Sequence, residues 1–300
     1  ALANDHYVVC SSNWDNGGTA NVGAVTWGNG ATGTSGAVGA GNSLVGTSAE
    51  DRVGTVSGCA AKALSNGHYV VCSPLWDNGA IANVGAATWV NGGASTSAVV
   101  STANSLVGST LDDRVGGQAL ALDNGHYVVM SPMWDYVPSS WINAGAITWR
   151  NGSLNSSGVV DFANSRYGLT TDNRIGSQGG FSLPGGKYVA LSPFWDTGAP
   201  TERGAATWGD GAAVSNGLIG AANSLVGTRA NDSVGNEDGA DVDNQPFLFG
   251  YYLLKTNSFD GAVNPNIGAV TVGKPDGTTV GEINITHSLI GDDTTGPGGL

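Results

Sequence analysis

The stretch HYVVCSPLWDNG, His68 to Gly79, joins a β-rich apolar run to a bulky aromatic, an aspartate and a turn. The chain writes it again as HYVVCSSNWDNG from His6, HYVVMSPMWDY from His126, KYVALSPFWDTG from Lys187 and, eroded, YYLLKTNSFDG from Tyr251. A second module follows each copy: VGAVTWGNG at Val22, VGAATWVNG at Val84, AGAITWRNG at Ala144, RGAATWGDG at Arg203 and IGAVTVGKPDG at Ile267. A third is NSLVG or its variants (Asn42, Asn104, Asn164, Asn223, His287), and a fourth is DRVG or its variants (Asp51, Asp113, Asn173, Asp232). Aligned on Asp15, Asp77, Asp135, Asp196 and Asp260, the copies are 62, 58, 61 and 64 residues apart, so five units fill the chain. A fixed period of this kind signals a repeat architecture before any single residue is interpreted.

The units predict strands. Gly occurs 49 times in 300 residues, between short runs rich in Val, Thr, Trp and Tyr that suit a pleated, half-buried surface. Helix is expected to be nearly absent, because no window carries an apolar stripe of helical period. Within one unit we read strand A over Gly116–Leu122, strand B over His126–Ser131, strand C over Gly145–Arg150 and strand D over Val159–Tyr167. The A–B link contains Asn-Gly, whose positive φ suits a hairpin turn. Four antiparallel strands recurring every ~60 residues suit one blade of a propeller. The expected fold is therefore an all-β, five-bladed β-propeller forming a single domain over 1–300, with a β-solenoid as the alternative. Its units run over 6–67, 68–125, 126–186, 187–249 and 250–300, with 1–5 completing the last. Joining the C-terminal GGL to the N-terminal ALAND copies GGQALALDN at Gly116. That join implies a ring closed by both termini, an array divided in phase, or subunits meeting head to tail. The chain opens at Ala1, which reads as a processed product or a fragment.

The net charge of −13 excludes a cationic footprint for nucleic acid or anionic lipid. No apolar run approaches the ~20 residues that span a bilayer. Cys10 and Cys72 share one repeat slot, and Cys59 and Cys72 flank a hairpin; either a bridge or free thiols fits the odd count.

The order LVG, DDRVG, ALDNGHYVVMSP, AGAITW resembles the FG-GAP repeats of integrin α-chain-like propellers. It is similar also to the NGxYVVxSPxWDNG repeats of large secreted bacterial filamentous-haemagglutinin and adhesin-type proteins. The resemblance covers essentially the whole chain and implies a propeller used for recognition or adhesion outside the cell or at its surface. FG-GAP blades often carry a calcium loop between the strands named A and B here. In this chain only NEDGADVDNQ gathers acids, Glu237, Asp238, Asp241 and Asp243, which read either as a calcium site or as a solvated acidic loop. No other cofactor is expected.

Trp14, Trp76, Trp134 and Trp195 end strand B, each followed by an aspartate: Asp15, Asp77, Asp135 and Asp196. Repeated indoles fill the gaps between blades, and the aspartate can cap the turn. The same pairs also suit sugar, whose C–H faces stack on indole while carboxylates take the hydroxyls. Tyr136 and Trp141, in the longer VPSSW loop, make the third unit distinctive. The expected function is non-enzymatic: a multivalent carbohydrate-binding lectin or adhesin with glycans or surface ligands as partners. The alternative is a structural subunit of a surface or filamentous assembly that self-associates through its termini. A glycosidase would need unique acids in one cleft, and only Asp161, Glu202, Glu237 and Glu282 qualify.

Overall fold

A computed structural model describes residues 1–55, 61–199, 201–236 and 248–292. The chain is all-β, with five sheets of three to five strands in five successive units. The third unit, taken with the strand A that pairs with its strand B, shows the plan, and the other units are bounded in the same way. Strands A (Gln118–Ala121), B (Tyr127–Ser131), C (Ala146–Arg150) and D (Ser165–Tyr167) lie side by side and antiparallel. Helix among the described residues is confined to two 3₁₀ turns, Val137–Ser139 and Leu248–Gly250.

The expected strand D is in fact two pieces, and the division matters. Gly158–Val159 leaves its own sheet and pairs in parallel with Ser105–Val107 of unit 2. Ser165–Tyr167 alone pairs with strand C of unit 3. The break follows from Asn164, whose Oδ1 accepts the Asp161 N–H at 3.0 Å while its Nδ2 donates to the Val159 carbonyl at 2.8 Å. An asparagine closing a turn with its own side chain competes with the ladder and reverses the chain. The NS of NSLVG is thus a turn residue followed by a core serine. Ser165 shares a buried hydroxyl hydrogen bond of 2.7 Å with Thr148 on strand C, a pairing that recurs in all five units. In the same way Ala98–Val99, Gly217–Leu218 and Gly281–Glu282 each complete the sheet of the preceding unit.

The core lies between units. Strand B of units 2 to 4 is apolar on both sides because these inner sheets are covered on both faces. Tyr69 and Val71 face unit 1, whereas Val70 and Cys72 face unit 3. Four buried clusters form in this way, one at each junction from units 1–2 to units 4–5. Among the described residues none joins unit 5 to unit 1. The outer faces are correspondingly bare: Val9 is 48% exposed at one end, and Val272 and Leu289 are 46% and 73% exposed at the other.

Polar staples tie the same junctions. Trp89 Nε1 and Asn66 Nδ2 of unit 2 both donate to the Gly152 carbonyl of unit 3, each at 2.8 Å. The pair repeats from Trp27 and Asn4 to Gly92, and from Trp149 and Asn124 to Gly211. The glycine of WxNG is required at this contact, since a Cβ at Gly92 would sit 1.9 Å from the Gly67 carbonyl oxygen. At the last junction KPDG replaces the motif, and the buried Trp208 Nε1 has no partner among the described residues.

Candidate functional site

Trp76, Trp134 and Trp195 are 3%, 4% and 2% exposed, and Phe259 takes their place in unit 5 at 5%. They lie in successive junction cores, not on a common surface. Trp14 is half-buried, since among the described residues no unit covers that face. The aspartates close the B–C loops: Asp77 Oδ1 accepts the Asn83 N–H at 2.8 Å, Asp15 that of Asn21 at 2.8 Å and Asp260 that of Asn266 at 2.7 Å. Asp135 does so across a longer loop, to Asn143 at 2.8 Å, and Asp196 accepts from Gly198. Burial holds the Asp135 carboxyl above its usual range, against the pull of the Asn143 N–H.

The acid of DRVG proves more deeply engaged than the acid of WD. Asp113 is fully buried and accepts from Ser109 N at 2.6 Å, Thr110 N at 2.8 Å and Thr110 Oγ1 at 2.7 Å. It also accepts the Asp135 N–H of the next unit at 3.0 Å. Asp51 and Asp232 repeat the bond to Asp77 and Asp260. At Asp51 burial is the largest influence and raises the carboxyl above its ordinary value, although three backbone N–H groups pull it down. A raised folded-state value means that the stability linked to its proton is full below the unfolded value and is lost as pH rises through the folded one.

Tyr136 and Trp141 come together with two residues that the repeat pattern does not single out, Tyr167 and Phe162. Tyr136 stacks between Trp141 (centroids 5.3 Å, planes 29°) and Tyr167 (5.1 Å, 19°), with Phe162 edge-on at 6.3 Å. Trp134 supports the group from the core, edge-on to Tyr167 at 6.2 Å. The loop that carries Tyr136 and Trp141 is held by a two-way backbone bridge between them and by the 3₁₀ turn with Pro138 at its start. Phe162, Val137 and Ile142 around it are 50–57% exposed. Burial first, then Tyr136 and Asp161, raise the Tyr167 hydroxyl. The signal in the sequence was local: the other units have Asn16, Asn78, Thr197 and Gly261 where unit 3 has Tyr136, and Val45, Val107, Val226 and Ile290 where it has Tyr167.

A polar row accompanies this group. Asn83 and Arg114 both bond Asp112 Oδ1, at 3.0 and 3.2 Å; Asn21 and Arg52 hold Glu50, and Asn143 and Arg174 hold Asp172. All nine residues have left-handed φ, which lets the Arg114 N–H reach the Asn83 carbonyl and the Asp112 N–H that of Ala82. Exposed ion pairs of this kind contribute little stability.

Two clefts sit beside the second-module Trp. One of about 350 Å³ is lined by Arg166, Trp208, Asp210, Val214 and Ser215, and one of about 140 Å³ by Tyr7, Trp27, Thr34 and Val38. In these units strand C ends in Gly28 or Gly209 with a tyrosine ring lying over it. Unit 3 places Arg150 there instead, 9% exposed, with Nε and Nη2 buried and without partners among the described residues. Burial lowers its pKa. Replacing Arg150 by valine, the residue of unit 2, is therefore expected to raise the unfolding free energy by about 1–3 kcal/mol. Urea denaturation of the two proteins measures this.

The remaining acids are engaged singly. Glu282 pairs with Arg203 at 2.7 Å, Asp161 accepts the Ala163 N–H at 2.8 Å, and Glu202 lies in the loop closed by Asp196. Glu237, Asp238, Asp241 and Asp243 lie outside the described residues, as does Cys59; Cys10 is exposed and Cys72 buried. Among the described residues no group of three or more His, Cys, Asp or Glu is placed to hold a metal ion. No described helix is long and apolar enough to cross a membrane.

The family described as a repeat of unknown function (DUF5650) matches five times, over residues 1–55, 63–117, 121–177, 182–236 and 249–297. The chain belongs to this family. Each match holds strands B, C and D of one sheet, and the matching family is neither the FG-GAP nor the haemagglutinin type that the motifs resemble. No curated protein matches the chain.

Proposed function

We propose that this DUF5650 array is a non-enzymatic recognition module that binds carbohydrate at the aromatic group of unit 3. The observation that carries the reading is the Trp141–Tyr136–Tyr167 stack, which no other unit repeats among the described residues and which opens onto exposed Phe162, Val137 and Ile142. Sugar rings stack their C–H faces on such surfaces, while Asp161 and the tyrosine hydroxyls take the ring hydroxyls. The buried Trp76, Trp134 and Trp195 argue for one main site in place of five equivalent ones. A glycan reader of this type acts outside the cell or at its surface, without a metal.

The same observations favour a stack of sheets over a closed ring. Successive units touch at the A–B turns, at the B–C loops through the buried acid, across the sheet faces and along the outer edge, where strands are exchanged. Blades radiating from an axis diverge at that outer edge, whereas stacked sheets keep it in contact.

The test is binding of the protein to a broad glycan panel, repeated with Trp141→Ala and in the presence of EDTA. Trp141→Ala is expected to weaken the best glycan about tenfold or more, near 1.4 kcal/mol, with the fold intact and EDTA without effect. A panel with no saturable binding, or an unchanged affinity in Trp141→Ala, overturns the reading.

A further inference from the structure

We propose that two copies of the chain associate head to tail, unit 1 of one copy docking on unit 5 of the other by the strand exchange that joins its internal units. This inference is independent of the glycan reading.

Each internal junction has the same three components. A short segment leaves one unit and pairs in parallel with the outer edge of strand D in the preceding unit. An N–H just beyond it then bonds the last carbonyl of that strand: Val100 to Val45 at 2.9 Å, Val160 to Val107 at 2.9 Å, Ile219 to Tyr167 at 3.1 Å and Ile283 to Val226 at 3.0 Å. Finally, alternate residues of the facing sheets bury each other.

Unit 1 carries the donor half of this junction unused. Asn42 Nδ2 already bonds the Ala37 carbonyl at 3.0 Å, as Asn104 bonds Val99 at 2.8 Å, so the turn that presents the segment is preformed. Gly36 has φ +116°, within the range of the paired Gly158, Gly217 and Gly281 at +149°, +106° and +103°. Yet among the described residues no strand pairs with the Gly36–Ala37 segment. On the same face Val9 is 48% exposed and Trp14 half-buried, whereas Val71 and Trp76 in the matching positions of unit 2 are 0% and 3% exposed.

Unit 5 carries the acceptor half. Its strand D, Ser288–Ile290, ends a three-stranded sheet that has no borrowed strand among the described residues. Leu289 is 73% exposed where Leu225 of unit 4 is 0%, and Val272 is 46% exposed where unit 4 has Trp208. An open edge beside an apolar face is a template for another strand. The occupant that carries the same donor half as the four internal junctions is unit 1 of a second copy. The docked pair would bond Val38 N–H to the Ile290 carbonyl. The contact is heterologous, so it leaves one free end of each kind and can propagate.

Sedimentation velocity of the whole chain over a wide concentration range tests this, with Val9→Asp and Leu289→Asp as blocks of the two halves. Both positions are exposed in the single chain, so either variant is expected to fold as the parent does, checked by far-UV circular dichroism. The parent is expected to form species that grow with concentration, and each variant alone to stay monomeric. An equimolar mixture of the two variants is expected to give dimers and nothing larger, because Val9→Asp keeps its tail and Leu289→Asp its head. A parent that is monomeric throughout, an assembly indifferent to either substitution, or a mixture that stays monomeric would each overturn the proposal.

Discussion

Replacing Trp134 by alanine is expected to lower the unfolding free energy by about 3–5 kcal/mol, the range for emptying a buried aromatic site. The indole is 4% exposed in the junction core shared with Val70, Leu106 and Val160, and two neighbouring sheets held apart by strand exchange cannot collapse into the space. The same substitution at Trp14 is expected to cost about 1 kcal/mol or less, since exposed-face changes rarely cost more. Trp134→Phe imitates Phe259 of unit 5 and removes an indole N–H that has no partner among the described residues, so it is expected to be mild. Urea unfolding of the three variants checks the order. Equal losses at Trp134 and Trp14 would show that the indole acts within its own unit and not as filling between units.

The second large effect is at Asp113. Truncation to alanine is expected to cost about 3–5 kcal/mol, because the part-buried N–H groups of Ser109, Thr110 and Asp135 lose their fully buried acceptor together, at about 1–3 kcal/mol each before relaxation. Asparagine is the informative control. Asn173 fills this position in unit 3, accepting from Leu169 and Thr170 at 2.9 and 3.1 Å while its Nδ2 stays buried without a partner among the described residues. Asp113→Asn is therefore expected to fall between the parent and the alanine variant in the same unfolding measurement. Because the Asp135 bond crosses the junction, loss of cooperativity between units 2 and 3 is expected to appear as a broadened transition, as befits nearest-neighbour stability in repeat arrays.

Much of this was legible in the residues. The recurrence of HYVVxSPxWDNG and GAxTW specified five β units, because runs of β-favouring residues repeated at a fixed spacing mark the same strands in every copy, whatever each copy packs against. The NG turns likewise announced the A–B hairpins, whereas the cover on both faces of the inner sheets went beyond the half-buried surface expected. Tyr136 and Trp141 stood out because they broke the repeat.

What one sequence leaves open is every relation between units. The division of the expected strand D depends on Asn164 folding its side chain back, a local bond that became visible only with Val159 already paired to another sheet. Asp135 read as a turn cap and Asp113 only as the first residue of a repeated module until one was placed against the backbone of the other across the junction. The burial of Trp76 and the exposure of Trp14 follow from the same motif, and only the presence or absence of a neighbouring sheet separates them. Periodicity is a property of the chain and determines the unit. Burial is a property of neighbours, so tertiary structure alone decided which tryptophans are filling, where the aromatic surface lies and which two faces are left bare.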